Sequence, residues 1–179
     1  MKTLRFILPA LALLLTAPGC ILTSGQIFIN FDLPDINADS PTGLIGQQID
    51  LNDESDYKDH KDNLKDIADF AVLGTFNNTG GSDVDVEVWM TRDLTTYTDE
   101  TSVTTNGLKL WGPFKVATGA SKSIDWDGSA ALFTTAGKKA ILDEAKGDGS
   151  FTLYVIGEAG TYQFNVKDGI LALVIDVGI

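Results

Sequence analysis

The side chains available for acid–base chemistry in this chain are almost all carboxylates. Its 179 residues include 25 Asp and Glu, but one histidine, His60, and one cysteine, Cys20. Histidine is the usual general base near neutral pH, and His60 stands in a charged stretch with no partner at a catalytic spacing. No Ser-His-Asp arrangement, HExxH motif, phosphate-binding glycine loop or Rossmann fingerprint occurs. We expect a protein that is not an enzyme; a hydrolase built on two carboxylates is the weakest alternative.

Carboxylates at alternate positions raise the possibility of a calcium site. Asp83, Asp85 and Glu87 form a row in a predicted strand, and Asp125 and Asp127 lie in a short acidic turn. Carboxylate oxygens are ligands that Ca²⁺ prefers, so these five residues are the metal candidates. A half-buried strand gives the same row on its solvent face without any metal. No other cofactor is expected.

Three aromatic residues form a second candidate binding surface. Trp89 and Trp111 both fall in the polar phase of their predicted strands, and Tyr154 could join them. On neighbouring strands the rings would form a flat platform for carbohydrate. Because tryptophan is usually well buried, the alternative is that a helix over 134–146 or the threonine-rich stretch before it covers them in a small second core.

Cys20 follows a segment with the features of an export signal. Lys2 and Arg5 precede an apolar stretch over residues 6–15, and LTAPG then leads to the cysteine. This apolar stretch is too short for a spanning helix, which needs roughly 20 residues. The sequence therefore predicts a removable signal peptide over residues 1–19.

The arrangement resembles the signal peptide and lipobox of bacterial lipoproteins, in which the cysteine thiol receives a diacylglyceryl group and becomes the first mature residue. Gly19 fits that pattern, whereas Ala17 stands where lipoproteins usually carry Leu. The resemblance implies lipidation at Cys20, a tether over residues 20–24 and export to a membrane surface. An ordinary signal peptidase site is the alternative, and it would also cut before Cys20. Ile21 lacks the Asp of inner-membrane retention, so the outer membrane is expected if the source is Gram-negative.

Charge narrows the set of partners. Removal of residues 1–19 changes the formal charge from −12 to −14, because 11 basic residues then face 25 acidic ones. Such a surface repels nucleic acid. Together with this charge, the lipoprotein resemblance implies a membrane-anchored envelope module that contacts the membrane through its lipid and binds an envelope protein or glycan. The alternative is a receptor that binds carbohydrate or calcium at an acidic and aromatic face.

Apolar alternation between turn residues predicts eight or nine strands. They lie at residues 26–33, 44–51, 67–76, 83–91, 108–116, 121–126, 151–158, 162–166 and 170–177. Turn chemistry predicts hairpins at the NNTGGS segment over 77–82, at Asn106-Gly107 and at Asp168-Gly169.

Two segments have helical signals. Thr134 or Thr135 can cap a helix that ends at Gly147, and a short helix from about Asp56 can follow Ser55. The whole pattern predicts a mainly β fold, an antiparallel β-sandwich of about eight or nine strands with one or two short surface helices. A single domain should span residues 25–179.

Overall fold

The computed structural model describes residues 24–39, 44, 46–157 and 162–178. Within these ranges the chain forms nine strands and four α-helices. The strands are β1 Ser24–Leu33, β2 Ile36–Asp39, β3 Gly46–Asp50, β4 Leu64–Asn78, β5 Val84–Thr91, β6 Leu108–Val116, β7 Ser121–Ile124, β8 Ser150–Gly157 and β9 Gln163–Gly178. The helices are α1 Ser55–His60, α2 Glu100–Asn106, α3 Trp126–Ala130 and α4 Thr135–Lys146, with 3₁₀ turns at Leu51–Asp53 and Lys61–Asn63.

Two antiparallel sheets pack face to face, so the predicted β-sandwich is confirmed. The first sheet has the order β1-β9-β4-β7, with β2 also paired to β9; the second has the order β3-β8-β5-β6. Their facing sides form one continuous apolar core. Its largest fully buried side chains include Phe70, Phe76, Phe151 and Phe164. Burial of this apolar core supplies the main driving force for the fold.

The first sheet bends along one line that crosses three neighbouring strands. β1 and β2 pair with the two halves of β9 and are separated by residues 34–35. Opposite this gap Asp168 has a φ of 51°, and Gly74 in β4 has a φ of 146°. The register between β4 and β9 shifts at the same place. The predicted hairpin at Asp168-Gly169 is therefore wrong: the positive φ serves a bulge that bends one 16-residue strand.

The hairpin predicted over residues 77–82 is also wrong, because this segment carries the chain from one sheet to the other. β4 lies in the first sheet and β5 in the second. The buried Asn78 amide donates to the carbonyl oxygens of Ser82 at 2.8 Å and Val116 at 3.0 Å. Its side-chain oxygen accepts from the N–H of Gly80 at 3.0 Å. These hydrogen bonds satisfy backbone groups that strand pairing does not reach at this crossing.

The predicted helix over 134–146 is confirmed. The Thr134 hydroxyl accepts from the N–H of Gly137 at 2.8 Å, and Gly147 is the C-cap. Helix α4 buries Ala140, Ile141 and Ala145 in the main core. The predicted short helix is confirmed as α1, with Tyr57 buried beneath it.

The threonine-rich stretch differs from its prediction, since it forms helix α2 instead of leading to a hairpin turn. Asp99 caps the helix by accepting from the N–H of Ser102 at 2.8 Å. Gly107 ends it by donating to the carbonyl oxygen of Val103 at 2.7 Å. A Cβ on Gly107 would approach this oxygen to 2.6 Å, so the position requires glycine. With α3, this helix brings the number of α-helices in the described ranges to four, where one or two were expected.

Candidate functional site

Trp111 lies inside the main core and not on the polar face predicted for it. The register between β5 and β6 shifts on both sides of the Val88–Trp111 pair. These bulges move Trp111 onto the inner face with Phe114, where its ring stacks on Phe76 at 5.9 Å and is fully buried. Its indole N–H donates to the Ser129 carbonyl and hydroxyl oxygens, each at 3.0 Å. Simple alternation misses this placement, because each extra residue inverts the phase of the strand.

Trp89 and Tyr154 pair across β5 and β8 on the outer face of the second sheet. The threonine-rich stretch covers this face. The Tyr154 hydroxyl donates to the Thr95 carbonyl oxygen and accepts from the Tyr97 N–H, both at 3.0 Å. Val103 of α2 completes a small second cluster with these rings.

The three aromatic candidates therefore do not form an exposed platform. Trp111 and Tyr154 expose 0% and 1% of their surface, and Trp89 is half-buried. The alternative of a small second core under the threonine-rich stretch is correct for Trp89 and Tyr154, whereas Trp111 belongs to the main core.

Two of the three carboxylates in the predicted row, Asp83 and Glu87, contact lysines of β6. Asp83 lies 3.2 Å from the Lys115 ammonium and accepts from the Thr118 N–H at 3.0 Å. The hydrogen bonds from Thr118 and Lys115 lower the Asp83 pKa below its usual value. Asp85 pairs directly opposite Lys115 in the β5–β6 register.

Glu87 is the one carboxylate of this row that is buried. One of its oxygens accepts from the Lys109 ammonium at 2.8 Å, and the other accepts from the Trp89 indole N–H at 2.9 Å. Both oxygens are therefore engaged by protein groups, as a buried carboxylate requires. These contacts hold the Trp89 indole against the sheet, so Glu87 acts here as a structural acceptor.

The other two metal candidates are in a different part of the fold. Asp125 is the N-cap of α3 and accepts from the Gly128 N–H at 2.8 Å, and Asp127 lies exposed in its first turn. Across the described ranges, no three His, Cys, Asp or Glu side chains form a group that could hold a metal ion. The five carboxylates predicted for calcium thus do not converge.

Helix α3 packs against β4 of the first sheet. The buried Ser129 hydroxyl accepts from the Val72 N–H and donates to the Val72 carbonyl oxygen, both at 2.8 Å. One side chain thus replaces a neighbouring strand on the part of β4 that β7 does not reach. The Trp126 indole N–H donates to Asp69 at 2.5 Å.

The exposed aromatic surface lies beside this helix, at residues that sequence reasoning did not single out. Phe28 exposes 55% of its surface, and its ring centroid is 6.2 Å from that of the half-buried Trp126. Phe28 pairs with Val174 of β9, which pairs with Asp69 of β4. Alternation in β1 places Phe28 opposite its core residues, so the sequence held part of the signal. Trp126 falls in the strand predicted over 121–126, whereas in the structure this strand ends at Ile124 and α3 begins at Trp126.

Open concave regions lie at several places on the described surface. One of about 310 Å³ lies between the edges of the two sheets, where β1 meets β3. Its lining includes Asn30, Asp32, Gln48, Asp50 and Glu54. It brings together carboxylates and amides, with no hydroxyl, thiol or imidazole among its lining side chains.

Among the described residues, no helix combines the length and apolar character that crossing a membrane requires. Cys20 and the signal segment lie outside the described residues, and β1 begins at Ser24.

Comparison with known proteins gives no family. No protein-family model matches the chain, and no curated protein matches it significantly. Among solved structures, the chain is similar to one from Desmodium yellow mottle tymovirus at 12% identity, covering 87% of this chain and 89% of that one, with a TM-score of 0.28. A similarity at this level carries no argument about fold or function.

Proposed function

We propose that this protein is a lipid-anchored, non-enzymatic module of a bacterial cell envelope. The observation that carries the proposal is the position of Cys20, which follows a basic and apolar leader and precedes the first strand by three intervening residues. Two or more acyl chains at this cysteine would hold the sandwich durably on a membrane surface. The outer membrane is the favoured location if the source is Gram-negative.

The arrangement of the described side chains supports a binding role over catalysis. Asp83 and Glu87 have lysine partners, Asp125 caps a helix, and the lining of the cleft between β1 and β3 has carboxylates and amides but no hydroxyl, thiol or imidazole. A rigid sandwich with polar loops is a common scaffold for protein or glycan contact. The formal charge of −14 after removal of residues 1–19 argues against nucleic acid as the partner.

A receptor for carbohydrate or calcium loses its main support. Trp111 and Tyr154 are buried, so neither ring can stack on a sugar. Both oxygens of Glu87 already accept hydrogen bonds from the protein. We therefore retain the interaction module as the proposed function.

Mass spectrometry of the exported protein tests the anchor directly. We expect a mature chain that begins at Cys20 and carries a diacylglyceryl group on its thiol. Cys20→Ser should abolish the lipid and release the protein from the membrane fraction, whereas the neighbouring control Thr23→Ala should leave both unchanged. An unmodified amino end, or a leader still attached, would contradict the proposal.

A further inference from the structure

The only large exposed apolar side chains among the described residues are Phe28 and Leu94, on opposite faces of the sandwich. Phe28 belongs to the outer face of the first sheet, beside Val174 and Trp126. Leu94 belongs to the segment over the second sheet, where its carbonyl oxygen accepts from Gln48. We propose that the Phe28–Trp126 surface, meaning Phe28, Val174 and Trp126, rests on the head groups of the zwitterionic bilayer that holds the anchor. This inference rests on the proposed function.

The tether places this surface close to the membrane. Residues 21–23 separate Cys20 from β1, and four residue steps of extended chain span at most about 14 Å. Phe28 lies four residues into β1, a further rise of about 13 Å along the strand. A lipid on Cys20 therefore keeps Phe28 within about 27 Å of its attachment point, and much closer if the first sheet lies flat on the bilayer.

The chemistry of the surface suits a head-group layer. Aromatic side chains with one apolar and one polar end concentrate at membrane interfaces. The Trp126 indole is oriented by its hydrogen bond to Asp69, which leaves the ring beside Phe28. One exposed ring alone would bind a bilayer only weakly. Because the tether makes this contact intramolecular, a small gain in free energy is enough to bias the orientation of the domain on the membrane.

The surrounding charge selects the kind of lipid. Three carboxylates lie near the two rings. Asp69 of β4 accepts from the Trp126 indole, and Asp125 and Asp127 lie at the start of α3, which carries Trp126. Zwitterionic head groups end in an ammonium or choline cation, which carboxylates attract and aromatic faces bind. Anionic head groups would meet these same carboxylates with repulsion. The complementary surface is therefore a zwitterionic one.

The single cysteine makes a direct experiment possible. The processed chain, residues 20–179, contains every described residue and can be coupled through Cys20 to a maleimide lipid in phosphatidylcholine vesicles. Quenching of tryptophan fluorescence by brominated phosphatidylcholine then reports an indole at the interface. We expect quenching in the wild type, its loss in Trp126→Phe and a clear reduction in Phe28→Ser. Leu94→Ser, the matched change on the opposite face, should leave it unchanged.

Lipid composition gives a second readout. Equimolar phosphatidylglycerol should reduce the quenching at low salt, and added salt should restore it. A wild type without quenching, or quenching that persists in Trp126→Phe or depends on Leu94, would overturn the inference. Trp126 fluorescence that responds to peptidoglycan sacculi and not to brominated lipid would assign the surface to glycan instead.

Chemical coupling separates this inference from the proposed function. The vesicle result does not depend on whether cells lipidate Cys20, and mass spectrometry of the exported protein does not depend on Phe28. Each experiment can therefore fail without the other.

Discussion

The outer faces of the two sheets both carry aromatic side chains, but only one face is closed. On the second sheet the threonine-rich stretch packs Val103 and Tyr97 over Trp89 and Tyr154. On the first sheet α3 places Trp126 beside Phe28 and leaves Phe28 at the surface. The difference shows that the phase of a strand decides which face a residue occupies, while a separate covering segment decides whether that face is buried.

Polar contacts at the start of α2 secure the cover of the closed face. Asp99 caps α2, and Glu100 of the same helix accepts a hydrogen bond from the hydroxyl of Tyr162. Burial, together with this contact, raises the pKa of Tyr162 well above its usual value. On the open face, α3 is attached through Ser129, whose hydroxyl bonds to Val72 and whose oxygens accept from the Trp111 indole. The two faces should therefore respond differently to substitution.

The largest expected effect comes from the second core. Tyr154→Ala removes a fully buried ring and its two hydrogen bonds, and we expect a loss of about 3–5 kcal/mol of unfolding free energy, as for other buried aromatics. Urea denaturation measures it. Trp126→Ala on the open face should cost clearly less, and equal losses would mean that the two faces are closed to the same extent.

Next in size is the attachment of α3. Ser129→Ala leaves the N–H and carbonyl of Val72 without their partner, which should cost about 1–3 kcal/mol in unfolding free energy. Ser123→Ala, which removes an exposed hydroxyl on β7, is the control and should be near neutral. A neutral Ser129→Ala would show that the open face does not depend on α3.

Acidification should loosen the cover of the second sheet. The side-chain and backbone hydrogen bonds from Ser102 hold the Asp99 pKa below its usual value of 3.8. A lowered folded-state pKa stabilises the fold above the unfolded-state value, and this stabilisation is lost as pH falls through the folded-state value. Below about pH 4, the melting temperature should therefore decrease less in Asp99→Asn than in the wild type, because asparagine keeps the helix cap but does not titrate. Parallel pH profiles for the two proteins would rule out this role for Asp99.

The smallest effect on stability is expected at Phe28 itself. Phe28→Ser should change the unfolding free energy by no more than about 0.5 kcal/mol, because the ring is already largely in solvent. Leu94→Ser, measured by the same denaturant titration, provides the comparison. A large loss at Phe28 would show that the open face is a packed one.

Local chemistry was enough to predict the elements that depend on neighbouring residues. Thr134 and Gly147 mark the two ends of α4 through hydrogen bonds within a few residues. The strands follow from alternation, and their number predicts a sandwich. Trp111 was misplaced because a bulge depends on how two strands pair, which no single strand encodes. The sequence around Asn78 predicted only a turn. The hydrogen bonds of its side chain to Ser82 and Val116 depend on how the chain crosses from one sheet to the other.

The sequence by itself determined the antiparallel sandwich, its acidic surface and the expectation of a lipid at Cys20, because periodicity, charge and a leader are properties of adjacent residues. Only the tertiary structure decided which aromatic rings reach solvent. Alternation places Trp89, Trp111 and Phe28 all on the polar faces of their strands. In the structure the threonine-rich stretch half-buries Trp89 and a bulge moves Trp111 into the core, whereas Phe28 stays exposed among the described residues. Burial depends on what packs against a residue, and that partner is usually distant in the chain.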